Sequence, residues 1–131
     1  MDAYQTHGAF SWSELMTSDP EAALAFYTAL FGWTTQTMDM PGGAYHVVKA
    51  GDTSVGGVMA IPAEAKAAGM RPNWGCYVTV SDVDACAGRA AELGGKVVHG
   101  PQDIPGVGRM AMIVDPQGAM LSLITYKMPA G

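Results

Sequence analysis

Apolar and polar residues alternate along eight short runs of this chain, the period-two pattern of half-buried strands. The runs are AFSWSELM (9–16), WTTQTMDM (33–40), AYHVVKA (44–50), TSVGGVMAI (53–61), WGCYVTV (74–80), KVVHG (96–100), GRMAMIV (108–114) and AMLSLITYK (119–127). Two stretches carry a helical spacing instead. In EAALAFYTALF (21–31), Ala23, Phe26, Tyr27 and Leu30 fall at i, i+3, i+4 and i+7 and predict the inward stripe of a helix. Ser18 or Asp19 can cap it, Pro20 suits its first turn, and Gly32 stops it. SDVDACAGRAAEL (81–93) predicts a second helix with its own Ser/Asp cap, ending at Gly94 and Gly95. Turns are expected at PGG (41–43) and GD (51–52), and the stretch 62–73, with two prolines, reads as a linker or short helical turn.

The order strand–helix–strand–strand–strand therefore occurs twice. Ser18-Asp19 and Ser81-Asp82 lie 63 residues apart, and the same shift takes Glu21 to Asp84, Leu30 to Leu93 and Gly32 to Gly95. Caps and stops recur in any two helices for physical reasons. The shared order at one spacing is what predicts a duplication into two βαβββ modules. The chain is expected to be a single domain, 1–131, with module one at about 8–61, the linker at 62–73 and module two at about 74–126.

Composition narrows the function classes. With 49% hydrophobic and 15% charged residues the chain has the apolar content of a folded domain. Its longest apolar run is far short of the ~20 residues of a membrane span, and MDAYQTHGAFSW has the make-up of no secretory leader. Neither membrane association nor secretion is expected. Seven Lys and Arg against twelve Asp and Glu give a net charge of −5 with no basic cluster, which disfavours nucleic acid and favours neutral or cationic partners. Cys76 and Cys86 lack metal-finger spacing and read as free thiols in a reducing cytoplasm. No G-x-S-x-G, C-x-x-C, P-loop or dinucleotide-binding glycine pattern occurs.

The repeated order, together with SDPEAALAFYTALFGW (18–33) and DPQGAMLSL (115–123), resembles the vicinal oxygen chelate superfamily. That group includes glyoxalase I, extradiol dioxygenases and the bleomycin- and fosfomycin-resistance proteins. The resemblance covers about residues 8–126, and SWSEL and GRMAMIVDPQGAMLSL look closest to its glyoxalase-like members. It implies an α+β fold of two tandem βαβββ modules, whose curved mixed sheets form a cleft with the helices outside. It also implies four metal-ligand seats, a His on the first strand and a Glu on the last strand of each module. Counted from Asp19, Asp82 and the D-P-x-G turn, with the 63-residue shift, those seats fall at Trp12, Met59, Gly75 and Ser122. None is an imidazole or carboxylate, and a divalent ion needs several converging N or O donors. A metal-free, cofactor-free site is expected.

If the seats face the cleft, strand alternation brings their i±2 neighbours with them. The candidate ligand-binding set is Trp12, Glu14, Met59, Tyr77, Met110, Met112, Ser122 and Ile124. On the seventh strand the choice lies between Met110 with Met112 and Arg109 with Ala111, and the methionines are preferred. On the first, the alternative inward face would be Ser11, Ser13 and Leu15. Glu14 is the candidate catalytic residue: a carboxylate on an otherwise apolar or hydroxylated strand, suited to act as general base or to anchor a basic group. Its structural alternatives are an ion pair, for example with Arg109, or exposure at a strand end.

Two functions fit these residues. The first is a small-molecule-binding protein that holds an aromatic or cationic ligand in an apolar cleft rich in aromatic and thioether groups. The second is a metal-independent lyase, isomerase or hydroxylase-like enzyme using Glu14, with Tyr77 or His46 as helper. Open sheet edges further predict a homodimer.

Overall fold

The strands and helices expected from the patterning form, and the stretch 62–73 takes the short-helix alternative in part. A computed structural model describes residues 1–40 and 43–127; most of the turn expected at 41–43 lies outside the described residues. The elements are β1 (Phe10–Thr17), α1 (Pro20–Phe31), β2 (Thr34–Met40), β3 (Gly43–Ala50), β4 (Thr53–Ala60), α2 (Ala63–Ala67), β5 (Asn73–Thr79), α3 (Val83–Glu92), β6 (Lys96–Ile104), β7 (Gly108–Val114) and β8 (Met120–Tyr126). The fold is α+β, with the βαβββ order present twice. Among the described residues no helix is long and apolar enough to cross a membrane.

Local chemistry sets the helix ends. The Asp19 carboxylate accepts from the Ala22 N–H at 3.1 Å, Pro20 takes the first helical position, and Gly32 closes α1 at φ 73°. Asp82 caps α3 in the same way through the Ala85 N–H at 3.1 Å. The repeat slips by one residue at the far end. The left-handed position after α3 is Gly94, at φ 95°, rather than the Gly95 that the 63-residue shift assigns.

Chain contacts divide the molecule into two units, Trp12–Gly75 and Met1–Ser11 together with the chain from Cys76 onward. In the first, the strand order is β2-β3-β4-β1, with β4 antiparallel to β3 and parallel to β1. Its core is Leu15, Val48 and Val58, against which Ala23, Leu24, Tyr27 and Trp33 pack. The inward stripe of α1 is therefore Ala23, Leu24 and Tyr27, whereas Phe26 and Leu30 are 60% and 57% exposed. Apolar residues surround most of this helix, so periodicity alone did not single out the buried side.

The second unit has the strand order β5-β8-β7-β6, with β5 parallel to β8. Val80, Val83, Ala87, Ala111 and Leu123 form its core, between α3 and one face of the sheet. The first residues of the chain belong to this unit. Thr79 donates its hydroxyl proton to the Ala3 carbonyl at 2.6 Å and exchanges backbone bonds with Gly8 and Ala9.

Candidate functional site

In the Trp12–Gly75 unit, the core residues identify which sheet face carries the helix. Leu15, Val48 and Val58 point to α1, so Trp12, Glu14, Gly57, Met59 and Tyr45 occupy the opposite face. The first-strand alternative of Ser11, Ser13 and Leu15 fails on Leu15, a core residue beneath α1. Tyr45 stands opposite Met59, and its ring fills the space that a side chain at Gly57 would need. The Trp12 indole N–H donates to the Tyr45 hydroxyl at 2.8 Å, which fixes both rings. Glu14 lies opposite Gly57 and is 6% exposed. Exposure at a strand end is thus excluded for Glu14, and its proposed pairing with Arg109 also fails. Arg109 grips Asp84 with two bonds at 2.7 and 3.0 Å and reaches Asp103 at 3.1 Å. This pairing holds the Asp84 carboxyl below the usual carboxylate range and raises Arg109 above its ordinary value.

In the other unit, Ala111 and Leu123 are buried against α3, which leaves Tyr77, Met110, Met112, Ser122 and Ile124 on the helix-free face. The methionines, rather than Arg109 and Ala111, point to that side. Register places Tyr77 and Met112 on either side of Ser122, and Met110 beside Ile124. Tyr126 continues this row; its hydroxyl lies 2.7 Å from that of Ser11, and its ring meets Tyr4 edge-on with centroids 5.0 Å apart. Burial raises the Tyr126 phenol above its ordinary value, partly offset by the Ser11 bond.

Comparison with known proteins places this geometry in a family. Residues 9–123 match the family model described as Glyoxalase/Bleomycin resistance protein/Dioxygenase superfamily. The chain belongs to that superfamily. It is 46% identical over 118 residues to "Putative glyoxylase CFP32" of Mycobacterium tuberculosis, covering 89% of this chain and 44% of that protein. It is 33% identical over 127 residues to "Anthracycline biosynthesis protein DnrV" of Streptomyces peucetius, covering 88% of this chain and 46% of that protein. The chain thus spans less than half the length of these curated relatives. Among solved structures, it is similar to a methylmalonyl-CoA epimerase from Mycobacterium tuberculosis. That likeness has a TM-score of 0.66 at 18% identity and covers 95% of this chain and 89% of the other. A hypothetical protein from Bacillus halodurans gives 0.71 at 14% identity, with 96% and 99% covered. These two likenesses concern the fold.

The four positions that the resemblance implies as metal-ligand seats do not suit a divalent ion. Trp12 offers an N–H already given to Tyr45, Met59 a thioether, Gly75 no side chain and Ser122 one buried hydroxyl. Among the described residues, no group of three or more His, Cys, Asp or Glu side chains could hold a metal ion.

His46 does not serve Glu14. It lies on the helix side of β3, its Nδ1 2.9 Å from the Thr37 hydroxyl, because neighbouring strand residues face opposite ways. Tyr45 is the β3 residue on the face that carries Glu14, and sequence reasoning passed over it. The signal was present in Gly57, whose missing side chain makes room for a ring from the neighbouring strand. Tyr4 was missed as well, since nothing in MDAYQTHG marks a segment that returns to β8.

Proposed function

We propose that this protein binds a small aromatic or cationic molecule on the helix-free face carrying Trp12, Glu14 and Met59, without a metal or other cofactor. The observation that carries the reading is the indole of Trp12. Counted from Asp19, it falls where the resemblance implies the superfamily's first metal ligand, and its bond to Tyr45 holds it in one orientation. An indole face so fixed stacks on a flat or cationic group with little loss of rotamer freedom. The buried Glu14 carboxylate suits a ligand that brings a positive charge or a hydrogen-bond donor. Tyr77, Met110, Met112, Ser122 and Ile124 are proposed as further ligand contacts, on the adaptable apolar surface that thioethers provide. The similarity to an anthracycline biosynthesis protein supports a polycyclic aromatic ligand. We take the chain as one domain, with modules at about 8–61 and 74–126, acting as a homodimer. The two free cysteines suit the cytoplasm.

A thermal-shift screen of aromatic and cationic metabolites, with divalent metals as a control set, tests this reading. At a hundredfold excess over Kd, a specific ligand stabilises by about 2.7 kcal/mol, a readily measured rise in Tm. Trp12→Ala should then weaken the ligand found by more than Glu14→Gln does. Stabilisation by a metal alone, with none by any organic ligand, overturns the proposal.

The burial of Glu14 favours a second reading, a metal-independent isomerase or lyase with Glu14 as its base.

A further inference from the structure

A separate concavity lies on the helix side of the Trp12–Gly75 unit, behind the sheet that carries Trp12. It is open to solvent on one side and has a volume of about 450 Å³, within the roughly 300–1,000 Å³ of small-molecule pockets. Four rings wall it: Tyr27 and Phe31 from α1, Trp33 just after that helix, and Trp74 at the start of β5. Tyr27 and Trp33 are nearly parallel with centroids 5.9 Å apart, while Trp74 stands edge-on to both at 5.4 and 6.3 Å. The Trp74 indole N–H donates to the Tyr27 hydroxyl at 3.1 Å, so the corner between these walls is fixed. Gly56 lies in the floor. A side chain there would come within 2.6 Å of the Ser13 carbonyl, so the close approach of β1 and β4 keeps the floor bare.

These rings do not simply fill a core. Phe31 is 57% and Trp74 42% exposed, although each borders a concavity that is almost wholly apolar. We propose that this concavity is a second binding site, for an uncharged, flat aromatic molecule of about two fused rings. The absence of any charged side chain from its lining selects against ions, since a cation would find ring faces but no carboxylate. Perpendicular walls offer stacking on one ring and edge contact on another, the two arrangements that aromatic pairs prefer. Ser13 in the lining supplies a hydroxyl for a phenolic or keto group.

The test is a titration with 2-naphthol. In Trp12→Phe protein the remaining tryptophans, Trp33 and Trp74, both border the site. Saturable quenching of their emission is expected. Wild-type protein labelled with ¹⁵N should show shifts at Val55, Gly56 and the two indole N–H groups. Phe31→Ala and Trp74→Ala should each weaken binding by about tenfold, the loss expected for one stacking partner. Phe31 is exposed enough that its truncation leaves the core alone. Quenching that does not saturate, unchanged affinity in both variants, or shifts confined to Trp12, Tyr45 and Met59 would each overturn the proposal. The last result would leave the opposite face intact as a ligand site, so failure here and failure of the proposed function are distinguishable.

Discussion

Glu14, buried, and Tyr126, half-buried, show what a single polar group commits the protein to. If the Trp12 face performs proton transfer, Glu14→Gln keeps the shape and removes the acceptor. Turnover should fall by roughly 10²–10⁴-fold with little change in ligand affinity. Steady-state kinetics on any substrate found would show it, and an unchanged kcat would leave only the binding role. Tyr126 carries a pH dependence. Its phenol titrates above the ordinary value of 10.0 because burial disfavours the phenolate. The fold therefore holds this proton more tightly than the unfolded chain does. The stabilisation is fully present below pH 10 and is lost as pH rises through the folded-state value. Urea midpoints followed above pH 10 should fall less steeply in Tyr126→Phe than in wild type, while at neutral pH the variant should lose about 1 kcal/mol with the Ser11 bond. The partner of Glu14's face was legible only in part. Alternation placed Trp12, Glu14 and Met59 together, but which residue of Tyr45 and His46 joined them depends on the β3–β4 register, and register is a tertiary quantity.

At the scale of elements, the caps were the most readable feature of the chain, because a cap is a bond within three residues. Asp19 and Asp82 make the same contact at the same distance in two helices. Asp19→Ala and Asp82→Ala should each cost about 1 kcal/mol, and the double variant about the sum, since the sites share no partner. Chemical denaturation gives both numbers, and strong non-additivity would mean that the helices are coupled through the fold. The buried side of α1 was harder to read. Ala23, Leu24, Phe26, Tyr27, Leu30 and Phe31 surround most of its circumference, and only the sheet beneath selects Ala23, Leu24 and Tyr27. In α3, whose buried side the patterning did not assign, Val83, Cys86 and Ala87 form a narrow stripe among polar and small residues.

For the molecule as a whole, the edge strands bear on assembly. β2 ends the strand order of the Trp12–Gly75 unit and β6 that of the other, each with one described strand neighbour. Exposed edges of this kind tend to be covered. Static light scattering at micromolar concentration should give twice the 13.6 kDa of the chain, and a particle of single mass would remove the dimer. The twofold βαβββ order was readable because each module repeats the same local signals. That the chain's first residues join the later unit was not readable, for MDAYQTHG has neither strand alternation nor a helical stripe.

That return of the N-terminus imposes an order on folding. Trp12–Gly75 can close from contacts within one continuous stretch. The other unit must join Ala3 to Thr79 across 76 residues and Ser11 to Tyr126 across 115. Loop closure over such separations is slow compared with local pairing. Made ahead of both partners, this opening segment cannot pair until Thr79 and then Tyr126 have been synthesised. Pulsed hydrogen exchange during refolding should protect amides of β3 and β4 before those of Gly8 and Thr79. Removing residues 1–8 should leave that early phase untouched while it weakens the later one.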